Sequence, residues 1–274
     1  LQAGLLFQAI LADEAIDAYL VQLTLELAGD VDADRFRRAG QALLDRYPNL
    51  RSAFVSDSDG VSVQVVSENV TLPFRTLDLS ERPEAERHRV LDDALAADRR
   101  TAFDMAVPPL LRMLVIKTAP ERYRLLLTNH HILLDGWSTP LLVRELLALY
   151  ATDGDASALP RPRSYREYLT WLARRSPVSS LAAWQETLRG LDEPTLFAPQ
   201  KPGATADEAS RDLLVPVGDA TYTRLRELVR EHGITLNTVV QAAWAIVLAN
   251  ATARDDVVFG ATVSGRPPQL AGVD

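Results

Sequence analysis

Four histidines punctuate the chain, His88, His130, His131 and His232. His88 falls in a charged helical stretch and His232 at a helix end, positions that suit solvent-facing imidazoles with no chemical task. His130 and His131 are different. They open the run His130-His131-Ile132-Leu133-Leu134-Asp135-Gly136-Trp137-Ser138, which follows an apolar strand pattern and leads into a helical one. Strand-to-helix junctions hold side chains rigidly at the rim of a crevice. Three readings fit the spacing. The first is a buried, satisfied His pair with Asp135 as a turn or cap residue. The second is a metal site, because His131 and Asp135 lie four apart, although no HExxH, no cysteine and no third nearby His completes a ligand set. The third is acyl transfer, with His131 as base or proton shuttle and Asp135 shaping the site. A neutral imidazole, with a reference pKa of ~6.5, accepts a proton from an attacking group near neutral pH. A helix beginning near Gly136 aims backbone N–H groups at an oxyanion or carbonyl. There is no G-x-S-x-G elbow, no G-x-G-x-x-G and no P-loop, which argues against a serine hydrolase and a nucleotide cofactor.

The elements that must position this run belong to a chain of 274 residues with 47% hydrophobic and 24% charged residues, enough for one large domain or two ordinary ones. Lys and Arg total 29 against 37 Asp and Glu, a net charge of -8. That balance argues against nucleic acid and anionic membranes, both of which reward basic surface. The absence of cysteine excludes disulfides, thiolate metal sites and a Cys nucleophile. Apolar runs such as 239–248 fall short of the ~20 residues that span a bilayer, and no basic-then-apolar leader opens the chain. The sequence reads as a slice of something longer.

Tyr19–Leu27 alternates as a half-buried strand, with Gln22, Thr24 and Glu26 on the polar face. Asp32 is placed to cap a helix carrying Phe36, Ala39, Leu43 and Leu44, closed by Pro48. Short strands at 50–55 and 62–66 form a hairpin across 57–60, and 83–97 is a charged, exposed helix. Stronger strands follow at 110–118 and 123–128. Ser138 or Thr139 caps a helix through Tyr150, with Pro140 near its first turn. Residues 151–163 read as a loop, 165–175 and 179–188 as helices, and 194–209 as a surface linker. Then come a strand at 211–217, a helix at 220–232 ended by Gly233, a mostly apolar and hence buried helix at 236–250, and a strand at 256–263. The class is α+β, or mixed α/β. The domain boundary is drawn as residues 1–163, ending after the helix that follows Asp135, and residues 164–274.

The run His130–Ser138 resembles the HHxxxDG signature of condensation domains from nonribosomal peptide synthetases. Flanking segments make the resemblance specific. Leu1-Gln2-Ala3-Gly4-Leu5-Leu6-Phe7 is similar to the family's opening motif. Arg46-Tyr47-Pro48-Asn49-Leu50-Arg51-Ser52-Ala53-Phe54 resembles RHxxLRTxF, with Tyr47 in place of His and Ser52 in place of Thr. Phe103-Asp104 with Pro109-Leu110-Leu111-Arg112 resembles the FDL…PLLR segment. Tyr165, Tyr168 and Trp171, then Trp184, resemble the Tyr/Trp motif after the first lobe, and Phe259–Pro267 resembles GxxVxGRP. The matches come in the family's order along the whole chain and correspond to about the first two thirds of the family domain.

The resemblance implies two chloramphenicol-acetyltransferase-like lobes in a V, the second incomplete in this chain. It implies a cytoplasmic, amide-bond-forming acyltransferase. The acceptor's α-amine attacks a donor peptidyl or aminoacyl thioester, and both substrates are tethered to carrier proteins by phosphopantetheine arms that reach the site from opposite sides. Donor and acceptor carrier domains and an adjacent adenylation domain are the expected partners, with no metal, nucleic acid or membrane and no directly bound cofactor. The catalytic set implied is His131, His130, Asp135 and Gly136, supported by Trp137, Ser138, Arg112, Trp184 and Arg266. Asp135 is expected to pair with Arg266, and Trp137 and Trp184 to pack in the core. Local Arg clusters, such as Arg161, Arg163 and Arg166 or Arg174 and Arg175, could offer acidic carriers a positive patch. His130 argues against the related heterocyclisation domains, which replace it with Asp, and Gly136–Ser138 against epimerisation domains. The opening motif and the run into Trp137 are more similar to domains accepting a D-configured or dual-processed donor. A catalytically silent recruitment domain of the same fold and a free-standing coenzyme A-dependent acyltransferase remain open.

Overall fold

Period-two alternation puts Leu23, Leu25 and Leu27 of strand β1 (Leu20–Ala28) against one core and Gln22 on the opposite face. The structure, a computed structural model, describes residues 2–11, 17–56, 59, 61–196, 214–270 and 272. Helix α1 (Gln2–Leu11) precedes β1. After it come α2 (Ala33–Arg46), a 3-10 turn at Pro48–Arg51, β2 (Ser52–Ser56), β3 (Ser62–Val66), β4 (Phe74–Asp78) and α3 (Glu84–Arg100). Then follow β5 (Leu111–Ala119), β6 (Arg122–His130), α4 (Ser138–Ala151) and α5 (Tyr165–Ala173). The last described elements are α6 (Pro177–Thr187), α7 (Asp219–His232) and α8 (Leu236–Thr252). Helix and strand are mixed along the chain, as its patterning implies.

A four-stranded sheet in the order β1-β6-β5-β4 carries the fold, antiparallel except for the parallel β4–β5 pair. β2 and β3 form the separate antiparallel pair. Helices α2 and α4 pack on one sheet face through Phe36, Leu43, Leu44, Leu142 and Leu146, against Leu111, Met113, Leu125 and Leu127. Asp32 caps α2 as its position implies, accepting the amides of Asp34 and Arg35. A Cβ at Gly40 would come within 2.5 Å of the Leu72 side chain and 2.8 Å of the Met113 sulfur, so any larger residue there must displace these two buried side chains. α3 covers the other face through Leu91, against Leu114, Ile116 and Leu126. α1 sets Leu6 against Phe54, Met105, Leu110 and Ile132. β4 escapes the sequence pattern because it is a short edge strand whose residues are mostly exposed.

One polar row crosses the apolar sheet. Gln22, Thr128 and Arg112 stand opposite one another on β1, β6 and β5. Above them, Asp98 from the last turn of α3 accepts from all three: Gln22 Nε2 at 2.9 Å, Thr128 Oγ1 at 2.6 Å and Arg112 Nε at 2.8 Å. The Arg112 guanidinium also donates to the Asp98 carbonyl at 2.6 Å and stacks 4.4 Å from the Phe103 ring centroid. Burial pushes the Asp98 carboxyl up, but Arg112, Thr128 and Gln22 outweigh it and hold the group below its ordinary range.

The chain divides into two compact units, Leu1–Ala173 with Arg266–Asp274, and Arg174–Gly265. The boundary read from the sequence stood at 163/164. In the second unit Ser176 caps α6, Thr235 caps α8 through the Thr238 amide, and Gly233 ends α7 in the left-handed conformation. Arg254 there pairs with Glu193 at 2.7 Å. Three expectations fail in this unit. α8 is not a buried helix: Leu248 is buried, but Val240, Trp244, Ile246 and Val247 are exposed. An all-round apolar helix is buried only when partner surfaces enclose it. Residues 256–263 form no strand, since a strand needs a hydrogen-bonded neighbour and none pairs with them among the described residues. Leu214–Val217, the described part of the expected strand at 211–217, is likewise irregular and exposed. Residues 57, 58 and 60 of the expected hairpin turn and most of the 194–209 linker lie outside the described residues. No single helix among the described residues is long and apolar enough to cross a membrane.

Replacing Asp98 by Asn is expected to cost ~3–5 kcal/mol, because it strands the buried Arg112 charge; denaturant unfolding measures this. The native Asp98 ionises at lower pH than an unfolded Asp (~3.9), so its stabilisation is complete above that value. It is lost as pH falls through the lower folded value. Unfolding midpoints followed through that acid range should decline, and decline less in Asp98→Asn.

Candidate active site

β6 is paired on both sides up to its final residue. His130 lies opposite Leu20 of β1, and its amide donates to the Leu110 carbonyl at 3.0 Å. One residue later the chain leaves the sheet. The period-two geometry therefore turns the two adjacent histidines in opposite directions. His130 is 0% exposed, while His131 reaches solvent. The His131 amide still donates to the Tyr19 carbonyl at 2.8 Å, which anchors it to the start of β1.

Each imidazole is oriented by the turn that follows. His131 Nδ1 lies 2.7 Å from the Leu134 carbonyl, which only accepts, so Nδ1 carries the proton. In a neutral ring that assignment leaves the lone pair on Nε2. His130 Nδ1 accepts the Ile132 amide at 3.1 Å, and its Nε2 faces Asp17 Oδ2 at 3.2 Å. This last approach is too bent for a hydrogen bond and acts as a charge–dipole contact. Gln2 Nε2 of α1 donates to the Ile132 carbonyl at 3.1 Å, which explains why the opening segment belongs to the site.

Asp135 serves the next helix and does not touch the imidazole. Its Oδ1 accepts the Ser138 amide at 2.7 Å, the Ser138 hydroxyl at 2.6 Å and Arg266 Nη2 at 3.1 Å. Arg266 Nη2 also donates to Ser138 Oγ at 3.0 Å. The expected Asp135–Arg266 pair is thus formed. Burial raises the Asp135 carboxyl, but the Ser138 hydroxyl and amide and the Arg266 guanidinium bring it below its ordinary value. The cap of α4 differs from the one expected, because neither Ser138 nor Thr139 caps it. Trp137 occupies the cap position, and the carboxylate three residues before Ser138 reaches the free amide instead. Gly136 has open space around it, since a Cβ there would meet nothing within 4 Å.

A family model described as a condensation domain matches residues 1–273. The chain belongs to the condensation-domain family. A linear gramicidin synthase of Brevibacillus parabrevis is 37% identical over the whole of this chain, which spans 6% of that protein. Surfactin synthase subunit 3 of Bacillus subtilis (strain 168) is 28% identical, again over the whole chain and 22% of its own length. The chain therefore covers a small part of the synthetases it matches. Among solved structures, the first condensation domain of the calcium-dependent antibiotic synthetase, in complex with a substrate analogue, has a TM-score of 0.78 at 24% identity. It matches 99% of this chain and 64% of its own. The fold is the chloramphenicol-acetyltransferase-like fold of that family, as HHxxxDG and its flanking motifs imply.

In this condensation domain the remaining site candidates separate. Arg112 is held by Asp98 in the polar row beneath α3. Trp137 and Trp184 are not core residues, being 44% and 63% exposed, and Trp184 lies on α6 of the second unit. A tryptophan one residue before α4, or on α6, a helix with no buried face, has no periodic pattern that distinguishes core from surface. Tyr47, which replaces the family's His, donates to Glu145 Oε2 at 2.8 Å beside Arg46 Nε at 2.9 Å, tying α2 to α4. Sequence reading assigned no role to Gln2, Asp17, Tyr19 or the Leu134 carbonyl, because each acts through a contact that only folding brings together. Tyr165 stood in a quoted motif without a role. Burial, then the Tyr168 phenol and the Asp135 charge, push its phenol up. Among the described residues no cluster of three or more His, Asp or Glu gathers as a metal site.

Removing Asp135, Ser138 or Arg266 should show shared energetics. A double-mutant cycle of Asp135→Asn with Arg266→Ala, followed by chemical unfolding, is expected to give a coupling of ~0.5–3 kcal/mol. Additive losses would mean that the contact contributes nothing to stability.

Proposed function

We propose that this domain forms a peptide bond between two carrier-tethered substrates. The acceptor's α-amine attacks the donor thioester carbonyl, a C–N bond forms, the C–S bond breaks, and the donor's carrier thiol leaves with a proton. The observation that supports this reading best is the 2.7 Å contact of His131 Nδ1 with the Leu134 carbonyl, which in a neutral ring puts the lone pair on Nε2. That nitrogen accepts a proton as the amine attacks, or holds the amine by its N–H.

The chemical demand is modest. A thioester is already activated, and an α-amine with a pKa of ~7.7–8.0 is partly neutral at cellular pH. Positioning therefore supplies much of the rate, and tethering raises local concentration without new contacts. Asp135 and Arg266 neutralise each other and keep the first turn of α4 in place, so Asp135 is a positioning residue. Phosphopantetheine reaches the site as part of the substrates, carried by donor and acceptor carrier domains, with an adenylation domain in the same synthetase. The chain's own negative charge means that acidic carriers dock through local patches, for which Arg161, Arg163 and Arg166 are candidates.

The test uses the full-length synthetase module with loaded donor and acceptor carriers. His131→Ala should reduce product formation by the ~10²–10⁴ typical of acid–base groups, with an unchanged melting temperature. Full activity of the variant would remove His131 from the mechanism. A wild-type module that makes no amide would indicate a silent recruitment domain. Turnover of free coenzyme A thioesters without carrier binding would indicate a free-standing type of acyltransferase.

A further inference from the structure

We infer that Asp17 is a positioning residue for the histidine pair: its carboxylate selects which nitrogen of the buried His130 carries the proton, and through that ring it holds the turn that aims His131. The inference deepens the proposed role of His131 and rests on it.

The argument begins at His130, whose ring is fully buried. Its Nδ1 accepts the Ile132 amide, which requires a lone pair there and places the ring proton on Nε2. A buried N–H with nothing to receive it is costly. Asp17 Oδ2 lies 3.2 Å from that nitrogen and supplies the complementary charge. Burial raises the Asp17 carboxyl, but the His130 contact and the Tyr19 amide outweigh burial and keep it ionised.

The same residue reaches the second histidine by a different path. Asp17 Oδ1 accepts the Tyr19 amide at 2.9 Å, and the Asp17 carbonyl accepts the Leu20 amide at 3.1 Å. These bonds shape the turn into β1 and present the Tyr19 carbonyl to the His131 amide. On the other side, the Ile132 amide held by His130 fixes the start of the turn whose Leu134 carbonyl takes His131 Nδ1–H. Asp17 thus braces both ends of the segment that carries His131 Nε2. What it transmits is orientation, with no proton moved.

The geometry makes Asp17→Asn a sharp probe. With Oδ1 committed to the Tyr19 amide, the side-chain nitrogen of the substituted asparagine would face His130 Nε2–H, donor against donor. Shifting the ring proton to Nδ1 would then oppose the Ile132 amide. Either arrangement loosens the turn, while the volume of the side chain is almost unchanged.

Three measurements on the full-length module test the idea. Nitrogen NMR of the wild-type histidines should show His130 protonated on Nε2; a proton on Nδ1 overturns the proposal, whether or not any variant folds. Asp17→Asn should lower kcat for condensation by ~10–100-fold, by analogy with the loss on removing the partner that orients a metal-bound histidine. KM for the loaded acceptor carrier should hold, because Asp17 does not contact substrate, and Asp17→Glu should restore part of the rate. An unchanged kcat in Asp17→Asn overturns the proposal. His131→Ala in the same assay separates the two ideas. If His131→Ala is inactive and Asp17→Asn fully active, only the role of Asp17 fails. If His131→Ala is fully active, the base assignment fails and this inference with it.

Discussion

The site depends on where β6 stops. Hydrogen bonds hold that strand between β1 and β5 through His130, so the strand cannot twist away or slip at its last residue. A slip of one position would exchange the two histidines, burying the one that reaches solvent. The packing of α2 and α4 on one face and α3 on the other makes such a slip prohibitive, since it would turn Leu125 and Leu127 out of their core. The exposed imidazole is thus a consequence of sheet register, enforced by the whole first unit.

Three aspartates complete this design, and each does so as an acceptor. Asp98 neutralises Arg112 and joins α3 to three strands. Asp17 faces the buried ring, and Asp135 gathers the Ser138 amide, the Ser138 hydroxyl and Arg266. In all three, burial opposes ionisation and polar partners more than compensate. A carboxylate in such a setting is already satisfied by its own donors. The cationic partners are Arg in both ion pairs, whose fork serves two acceptors at once. Arg112 binds the side chain and carbonyl of Asp98, and Arg266 binds Asp135 and Ser138.

The motifs that identify the family divide, in the structure, into chemistry and carpentry. Gln2 closes on the Ile132 carbonyl, and Arg46 and Tyr47 meet on Glu145. Arg51 donates to the Ser67 and Glu68 carbonyls, securing the segment after β3. These residues belong to the signature because they hold the frame, and a signature alone does not separate them from the residue that meets the substrate. Tyr47 makes the point, since a phenol reaches Glu145 where the motif has an imidazole.

By itself, the sequence determined most local elements and the family. The alternation of 19–27, the Asp32 cap, the apolar strands before His130 and the helix from Ser138 all depend on neighbours within a few residues, so they are legible in order. The HHxxxDG run and Arg266 were legible as well, through spacing and motif. Tertiary structure alone decided the exposure of Trp137, Trp184 and α8, the irregular course of 256–263, and edge strand β4. Burial and pairing belong to a surface that must be supplied by another part of a fold, and no pattern of adjacent residues encodes that supply. It also decided which nitrogen of each neutral histidine carries the proton. That choice is made by the Leu134 carbonyl, the Ile132 amide and the Asp17 carboxylate, and it exists only once β1 lies beside β6.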